Sequence, residues 1–450
     1  MKSMRQNAHQ SVAQSSRRQF LRQSTLLGVA AVASPYIIPS GVLAADGQPG
    51  ANDRIGIAGI GIGRQGSSVL KNAMQLNRCR FVAVADVNLP RAKDIAEKYQ
   101  GEAVVDYRKV LDRKDVDAII TATPEHWRGI IAVHSCQAGK DVYAEKPLSL
   151  TIHEGRMMVD AARKYQRVFQ VGSHQRSMAL NRAVCAYIRE GKLGKITEVL
   201  ASNYPSPWEY NLPAQPIPEG LDWELWCGPV PVVPYNIDLY KPRANPGWIS
   251  FRPYSGGEMT GWGAHGLDQI QWALGMDDNG PVEVWTEGPA FSPLTYSAAE
   301  PRDRGEKQCN SPIVFCKYAN GITVKFEGGR SGGGAFVGEK GRIDLSRNDV
   351  KSNPPEIAEE IIKSVGEDSK RDADMDHVTN WLDCIKSREK PAADVLIGHR
   401  SATVCHLGNI ARWTGRKLSW DPVKEVFADA EANKYLDRER RKPYLLPEQV

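Results

Sequence analysis

The chain has 450 residues, 41% hydrophobic and 25% charged, which excludes a disordered polymer and is more than one ordinary domain needs, so two cores are expected. Its 58 basic and 53 acidic residues give a net charge of +5. The five basic residues Lys2, Arg5, Arg17, Arg18 and Arg22 precede the first acid, Asp46, so the remainder is balanced at 53 of each, without the basic excess that a nucleic-acid partner calls for.

The first segment reads as basic, then apolar, then small: the five positives, a run from Leu26 to Ile38 broken by Pro35, and Leu43-Ala44-Ala45. That order is the order of an export signal, and the apolar run is shorter than the ~20 residues of a membrane helix. No stable membrane insertion is expected. Ser16-Arg17-Arg18-Gln19-Phe20-Leu21-Arg22 resembles the twin-arginine signal, which a bacterial export receptor reads. Residues 1–45 are therefore expected to be a signal peptide, the export machinery a partner, and the mature protein periplasmic or otherwise exported. The eight cysteines are scattered, with no paired or metal-site spacing, and read as buried small hydrophobes with few or no disulfides. No metal site is expected.

An apolar run at 54–58 leads into Gly59, Gly61, Ile62, Gly63 and Gly66. Gly61-x-Gly63-x-x-Gly66 fits the dinucleotide fingerprint: side chains would block both the tight turn and the approach of backbone to pyrophosphate. Phe81 to Ala85 reads as a second buried strand ending at Asp86, 20 residues beyond Gly66. A carboxylate there accepts hydrogen bonds from a ribose and favours NAD; Arg91 nearby leaves NADP open. Helix 90–99 follows, then a strand at 117–121 ending in Thr123-Pro124, and helix 127–138, with His126 and Trp127 at its start. The strand Asp141 to Ala144 leads to Glu145-Lys146-Pro147. Strands alternating with helices call for a parallel sheet with the ligand beyond the strand C-termini. Thr123, Pro124, His126, Trp127, Glu145 and Lys146 are accordingly counted with the cofactor contacts.

The glycine turn, the strand ending at Asp86, the Thr-Pro strand end and above all Glu145-Lys146-Pro147 resemble the Gfo/Idh/MocA family of glucose–fructose oxidoreductase and inositol dehydrogenase. The resemblance covers about residues 53 to 420. It implies an N-terminal Rossmann domain (46–172), a C-terminal α+β domain with a mostly antiparallel open sheet (173–420), and an arm (421–450), in an α/β fold overall. It also implies that Lys146 faces the substrate hydroxyl near the nicotinamide, that Pro147 follows a cis bond, and that the second sheet makes homodimers or homotetramers.

Beyond Pro147, helix 152–165 and a strand at 167–171 lead to His174 and Arg176, both candidate sugar or cofactor contacts. Helix 178–190 precedes a strand at 196–204 that brings in Tyr204. Residues 205 to 255 hold Trp208, Tyr210, Trp223, Trp226, Tyr235, Tyr240, Trp248 and Tyr254, whose flat faces suit the apolar faces of sugar rings. In Gly256-Gly257-Glu258-Met259-Thr260-Gly261-Trp262-Gly263-Ala264-His265-Gly266-Leu267-Asp268 the resemblance places His265 as general acid/base, a task its ordinary pKa of ~6.5 suits. Trp262 is counted with the substrate contacts, and Asp268, one helical turn on, with the catalytic group. Gly261 stands where many relatives have aspartate, so Glu258 or Asp268 must substitute or the chemistry differs. Later strands are expected at 281–287, 311–319, 321–327 and 341–346, and helices at 373–385 and 394–412. His399 and His406 share a helix side and read as packing.

Three functions stay open. The first is a sugar or polyol oxidoreductase with tightly held NAD. The second is a glycosidase that works by transient oxidation and elimination, with Tyr204 or His265 as base. The third is an inactive dinucleotide-retaining protein.

Overall fold

The structure, a computed structural model, describes residues 53–241, 246–297 and 309–450. The signal segment lies outside the described residues. Among those residues no helix is long and apolar enough to cross a membrane.

The first sheet contains β1 (Ile55–Ile60), β2 (Cys79–Ala85), β3 (Glu102–Val104), β4 (Ala118–Thr121), β5 (Asp141–Ala144) and β6 (Phe169–Val171), in the order β3-β2-β1-β4-β5-β6. All its neighbours are parallel. Every residue of β1, β4 and β5 is buried, as expected of strands covered on both faces. Helices α1 (Arg64–Gln75), α2 (Leu89–Tyr99), α3 (Tyr107–Leu111), α4 (Glu125–Gln137) and α5 (Ile152–Lys164) make the crossovers. The strand order reverses between β1 and β4, so a crevice opens at their C-terminal ends.

The second half adds β7 (Ile196–Ala201), a short ribbon of β8 (Glu209–Tyr210) with β10 (Thr295–Tyr296), and β9 (Pro281–Glu287). It continues with β11 (Ile313–Tyr318), β12 (Thr323–Lys325), β13 (Gly334–Gly338), β14 (Gly341–Ser346), β15 (Asp349–Asn353), β16 (Leu418–Asp421) and β17 (Val426–Phe427). The large sheet runs β15-β14-β13-β7-β12-β11-β9-β16-β17. Only β12 and β7 pair in parallel within it. Its helices are α6 (Ala179–Arg189), α7 (Trp223–Cys227), α8 (Ile237–Tyr240), α9 (Glu258–Gly261), α10 (Gly263–Ala273), α11 (Glu356–Val365), α12 (Ala373–Ser387) and α13 (Val395–Thr414). One face packs Val199, Val284, Val314, Val324 and Phe336 against Val184 of α6, Leu267 and Ile270 of α10, and Leu407 and Ile410 of α13.

The two cores are stitched together by returning helices. Val378, Trp381 and Leu382 of α12 enter the core around β1 and α1, although α12 follows the second sheet in sequence. Helix α13 gives Val395 and Ala402 to the first domain and Val404 and Leu407 to the second. The C-terminal arm also returns: Arg438 donates to Glu154 (2.9 Å) and to the His126 carbonyl (2.7 Å), and Tyr444 packs edge-on against Trp127. All eight cysteines are buried thiols.

Candidate functional site

At the end of β1 the chain turns through four glycines into α1. Gly61 has φ +67°, and a Cβ there would lie 2.2 Å from Thr123 Cγ2, so only glycine holds this turn. Gly59 and Gly66 leave room for Ile62, which is buried beneath the turn: a Cβ would meet it at 2.4 and 3.1 Å. Gly63 is different. A Cβ there would meet nothing within 4 Å, and it precedes a helix with no side-chain cap and no acid in its first turn. Unsatisfied N–H groups, the positive end of a helix and open space fit a pyrophosphate.

At the end of β2 the buried Asp86 accepts from Asn88 N (2.9 Å) and from Arg91 through Nε (2.9 Å) and Nη2 (2.7 Å). Arg91 is thus engaged by the carboxylate. The pair offers oxygens to a ribose rather than a guanidinium to a 2′-phosphate, which fits NAD. The second domain closes over this end: Asn88 donates to the Tyr240 hydroxyl (2.9 Å), Leu89 N to Gly220 O, and Asp222 N to Val87 O.

One cavity of about 380 Å³ runs from Gly61, Gly63 and Asp86 past Thr123, Pro124 and Trp127 to Glu145, Lys146, His174 and His265. The Lys146–Pro147 bond is cis. Lys146 Nζ donates to Gly261 O at 3.1 Å, so the ammonium is held against the turn that leads to His265. His265 is in the first turn of α10, 6% exposed, with its ring 5.4 Å from that of Trp262. Trp262 is 36% exposed. Of the aromatic residues in 205–255, Trp226, Tyr240 and Trp248 line the cavity. The others pack behind them, as Trp223 does in a near-parallel stack with Trp226 at 4.4 Å.

His174 lies at the far end. Its Nε2 is 2.7 Å from the Tyr143 hydroxyl and 3.6 Å from Glu145 Oε1, and its Nδ1 is 2.6 Å from Asp374. Burial alone would lower its pKa, but the bonds and charges of Asp374 and Glu145 win and raise it to about 9. Burial works against the ionised Glu145, yet His174, Lys146 and Arg128 hold it below the usual carboxylate range. This end of the cavity therefore carries a cation between two anions at neutral pH.

Four expected site residues have other tasks. Arg176 and Asp268 bind each other: Nε lies 3.0 Å from both carboxylate oxygens, Ser401 Oγ adds a bond at 2.7 Å, and Arg176 reaches Asp277 as well. Both are buried and neither lines the cavity. Asp268 is thus engaged in a buried ion pair with Arg176. Tyr204 is buried behind α10, its hydroxyl accepting from Gly332 N at 3.1 Å. Burial pushes the phenol up to about 12, and Tyr204 lies outside the cavity lining. His126 holds Trp226 O at 2.9 Å, and burial drives its pKa down to about 3; it is a neutral packing residue outside the cavity lining. His399 and His406 contact Glu425 and Ser149 O.

Glu258 lies beside Gly261. A Cβ at 261 would lie 2.8 Å from Glu258 Oε2, which accepts from Trp262 N at 3.2 Å. The carboxylate of Glu258 fills the space that a side chain at 261 would use. Sequence reasoning missed Arg128, Ile249, Arg347 and Asp374, all of which line the cavity. The available signal was a charged pair, Glu125 and Arg128, on a helix that is otherwise apolar nearly all round.

Residues 195–446 match the model of the C-terminal α/β domain of an oxidoreductase family, and residues 54–173 match that family's NAD-binding Rossmann fold. An uncharacterised oxidoreductase, YrbE of Bacillus subtilis, is 28% identical over 64% of this chain and 69% of its own length. A glycosyl hydrolase family 109 protein of Shewanella pealeana is 28% identical over 26% of this chain and 27% of its own length. Among solved structures, the WlbA dehydrogenase of Chromobacterium violaceum, in complex with NADH and UDP-GlcNAcA, superposes with a TM-score of 0.59 at 19% identity, over 83% of this chain and 98% of that one. At that identity the likeness shows the fold.

Proposed function

The chain belongs to the Gfo/Idh/MocA oxidoreductase family, and on that premise we propose that it oxidises or reduces a hydroxyl-bearing carbon of a sugar or sugar-derived polyol. The observation that carries the reading is that Lys146 and His265 line the cavity that begins at the open glycine turn. Lys146 holds the substrate oxygen from one side, and His265 accepts its proton from the other. Trp226, Trp248 and Trp262 give the ring a flat wall and limit water. A bound nicotinamide supplies the redox chemistry. Glu258 contributes the carboxylate beside Gly261. The test is transfer of deuterium from a C–D-labelled sugar to NAD bound by the purified protein. Label on the nicotinamide supports the reading; label that stays on every sugar of a panel of aldoses, polyols and glycosides, while NADH binds, sinks it.

A second reading is supported by the likeness to a glycosyl hydrolase family 109 protein: transient oxidation, elimination at the neighbouring carbon with His265 as the base, then return of water and hydride. Turnover of a nitrophenyl glycoside without an added electron acceptor separates the two.

The reading extends to export and assembly. Arg17 and Arg18 in their setting support twin-arginine export to the periplasm with the cofactor already bound, and the resemblance supports a homodimer or homotetramer. Cell fractionation of the wild type against an Arg17→Lys/Arg18→Lys variant, and light scattering of the mature protein, test each.

A further inference from the structure

One buried carboxylate outside the proposed chemistry sits beside the segment that carries His265. Glu125, the first residue of α4, is 0% exposed and lies outside the cavity. Its Oε1 accepts from Ser255 Oγ at 2.6 Å, and its Oε2 accepts from Gly256 N at 3.1 Å. The Thr260 hydroxyl stands 3.3 Å from the same oxygen and shares its proton with Gly257 O at 3.0 Å. Ser255 Oγ in turn accepts from Gly257 N at 3.1 Å. These partners lie in α9 or in the segment that leads into it, just ahead of α10, and these helices carry Gly261 and His265.

One turn along α4, Arg128 is also buried. Its Nη2 donates to Thr123 O at 2.5 Å and its Nη1 donates to Pro147 O. Two side chains of one helix therefore grip three separate segments: the strand end at Thr123, the turn after Lys146, and the glycine turn before His265. An isolated buried charge is costly, so a carboxylate placed here needs its bonds, and those bonds go to the segment that leads to His265.

We propose that Glu125, backed by Arg128, is a positioning residue that fixes the separation of Lys146 and His265 through Ser255, Gly256 and Thr260 without touching cofactor or substrate. The proposal rests on the reading of Lys146 and His265 as the pair that handles the substrate proton. Burial raises the Glu125 pKa to about 7 against the pull of Arg128 and the three hydrogen-bonding groups. The titratable groups that face it are Arg128 from its own helix and the Cys405 thiol from α13. The same carboxyl exposed to water keeps its ordinary pKa, so an opening of the turn that wets Glu125 becomes easier as pH rises through about 7.

The test uses the full mature protein with Glu125→Gln, Ser255→Ala and both together. In Glu125→Gln at pH 8, amide hydrogen exchange over residues 256–266 is expected to rise by at least about tenfold while the strands of the first sheet stay protected. NADH affinity should stay within about threefold, and sugar-dependent reduction of bound NAD at saturating substrate should fall by about tenfold or more with little change in KM. The double variant should lose no more than about twofold beyond Glu125→Gln, since both act through one turn. In the wild type, exchange over 256–266, corrected for intrinsic pH dependence, should rise between pH 6 and 8; in Glu125→Gln it should not. Unchanged protection of 256–266 overturns the proposal, and so does an NADH affinity that falls in step with that protection. If the wild type reduces NAD with none of the sugars, the sugar reading falls, and the exchange and NADH measurements still decide the role of Glu125.

Discussion

Two glycine-rich turns lead into helices in this molecule, one from β1 into α1 and one into α10, and they use their glycines differently. In the first, Gly63 faces open space at an uncapped helix start. In the second, added Cβ atoms would meet protein: Thr260 at 2.3 Å from Gly256, the Pro207 backbone at 2.5 Å from Gly257, Glu258 at 2.8 Å from Gly261, and the Tyr204 hydroxyl at 2.4 Å from Gly266. At Gly63 the first turn leaves space that fits a ligand, while its other glycines, like those of the second turn, give theirs to close packing. Glycine spacing alone does not tell these uses apart. The surroundings do.

The sharpest way to break this contrast is at His265. His265→Ala should lower turnover by roughly 10²–10⁴-fold and leave NADH affinity unchanged, as measured by fluorescence titration, if the second turn serves chemistry and not the cofactor, as proposed. Lost NADH binding would erase the distinction. Asp268→Ala comes next: it leaves the buried Arg176 with Asp277 alone and should cost up to about 3 kcal/mol in denaturant unfolding, with NADH affinity intact wherever the protein is folded. A smaller contrast uses the glycines themselves. Gly266→Ala should cost about 1–3 kcal/mol of stability from overpacking without weakening NADH, whereas Gly63→Val should weaken NADH by about tenfold or more, about 1.4 kcal/mol, with less effect on unfolding.

The smallest effect is a pH dependence at the far end of the cavity. The folded pKa of His174 lies above its ordinary value of 6.5, at about 9, so its contribution to stability is full below 6.5 and is lost as pH rises through 9. Wild-type unfolding free energy should fall over that window by at most about 3 kcal/mol, and His174→Gln should lack that part of the slope.

The first domain was legible where its chemistry is local. The glycine turn, the strand ending at Asp86 and Glu145-Lys146-Pro147 each sit at a strand end, and near-continuous apolar runs such as Ile57 to Ile60 mark buried parallel strands. β9 and β14 also matched their expected bounds. β13, Gly-Ala-Phe-Val-Gly, reads as loop because its glycines are used for strand packing; β15 is a polar edge strand. The return of α12 onto the first core is a long-range contact with no local signature. The same reason explains Arg176, Asp268 and Tyr204. Their residue types suit a site, but Arg176 is neutralised by carboxylates about 90 to 100 residues away, and only the fold shows that these groups satisfy one another.

On the proposed reading, one cavity sets a dinucleotide against Lys146 and His265. A crystal structure of the protein with NADH and a bound sugar tests it most directly. The nicotinamide ring should lie beside both side chains, with its C4 and a sugar carbon at near-attack distance, about 3–3.5 Å, and the pyrophosphate over Gly63. A nicotinamide at the Asp86 end, or a sugar bound out of reach of His265, would contradict the account.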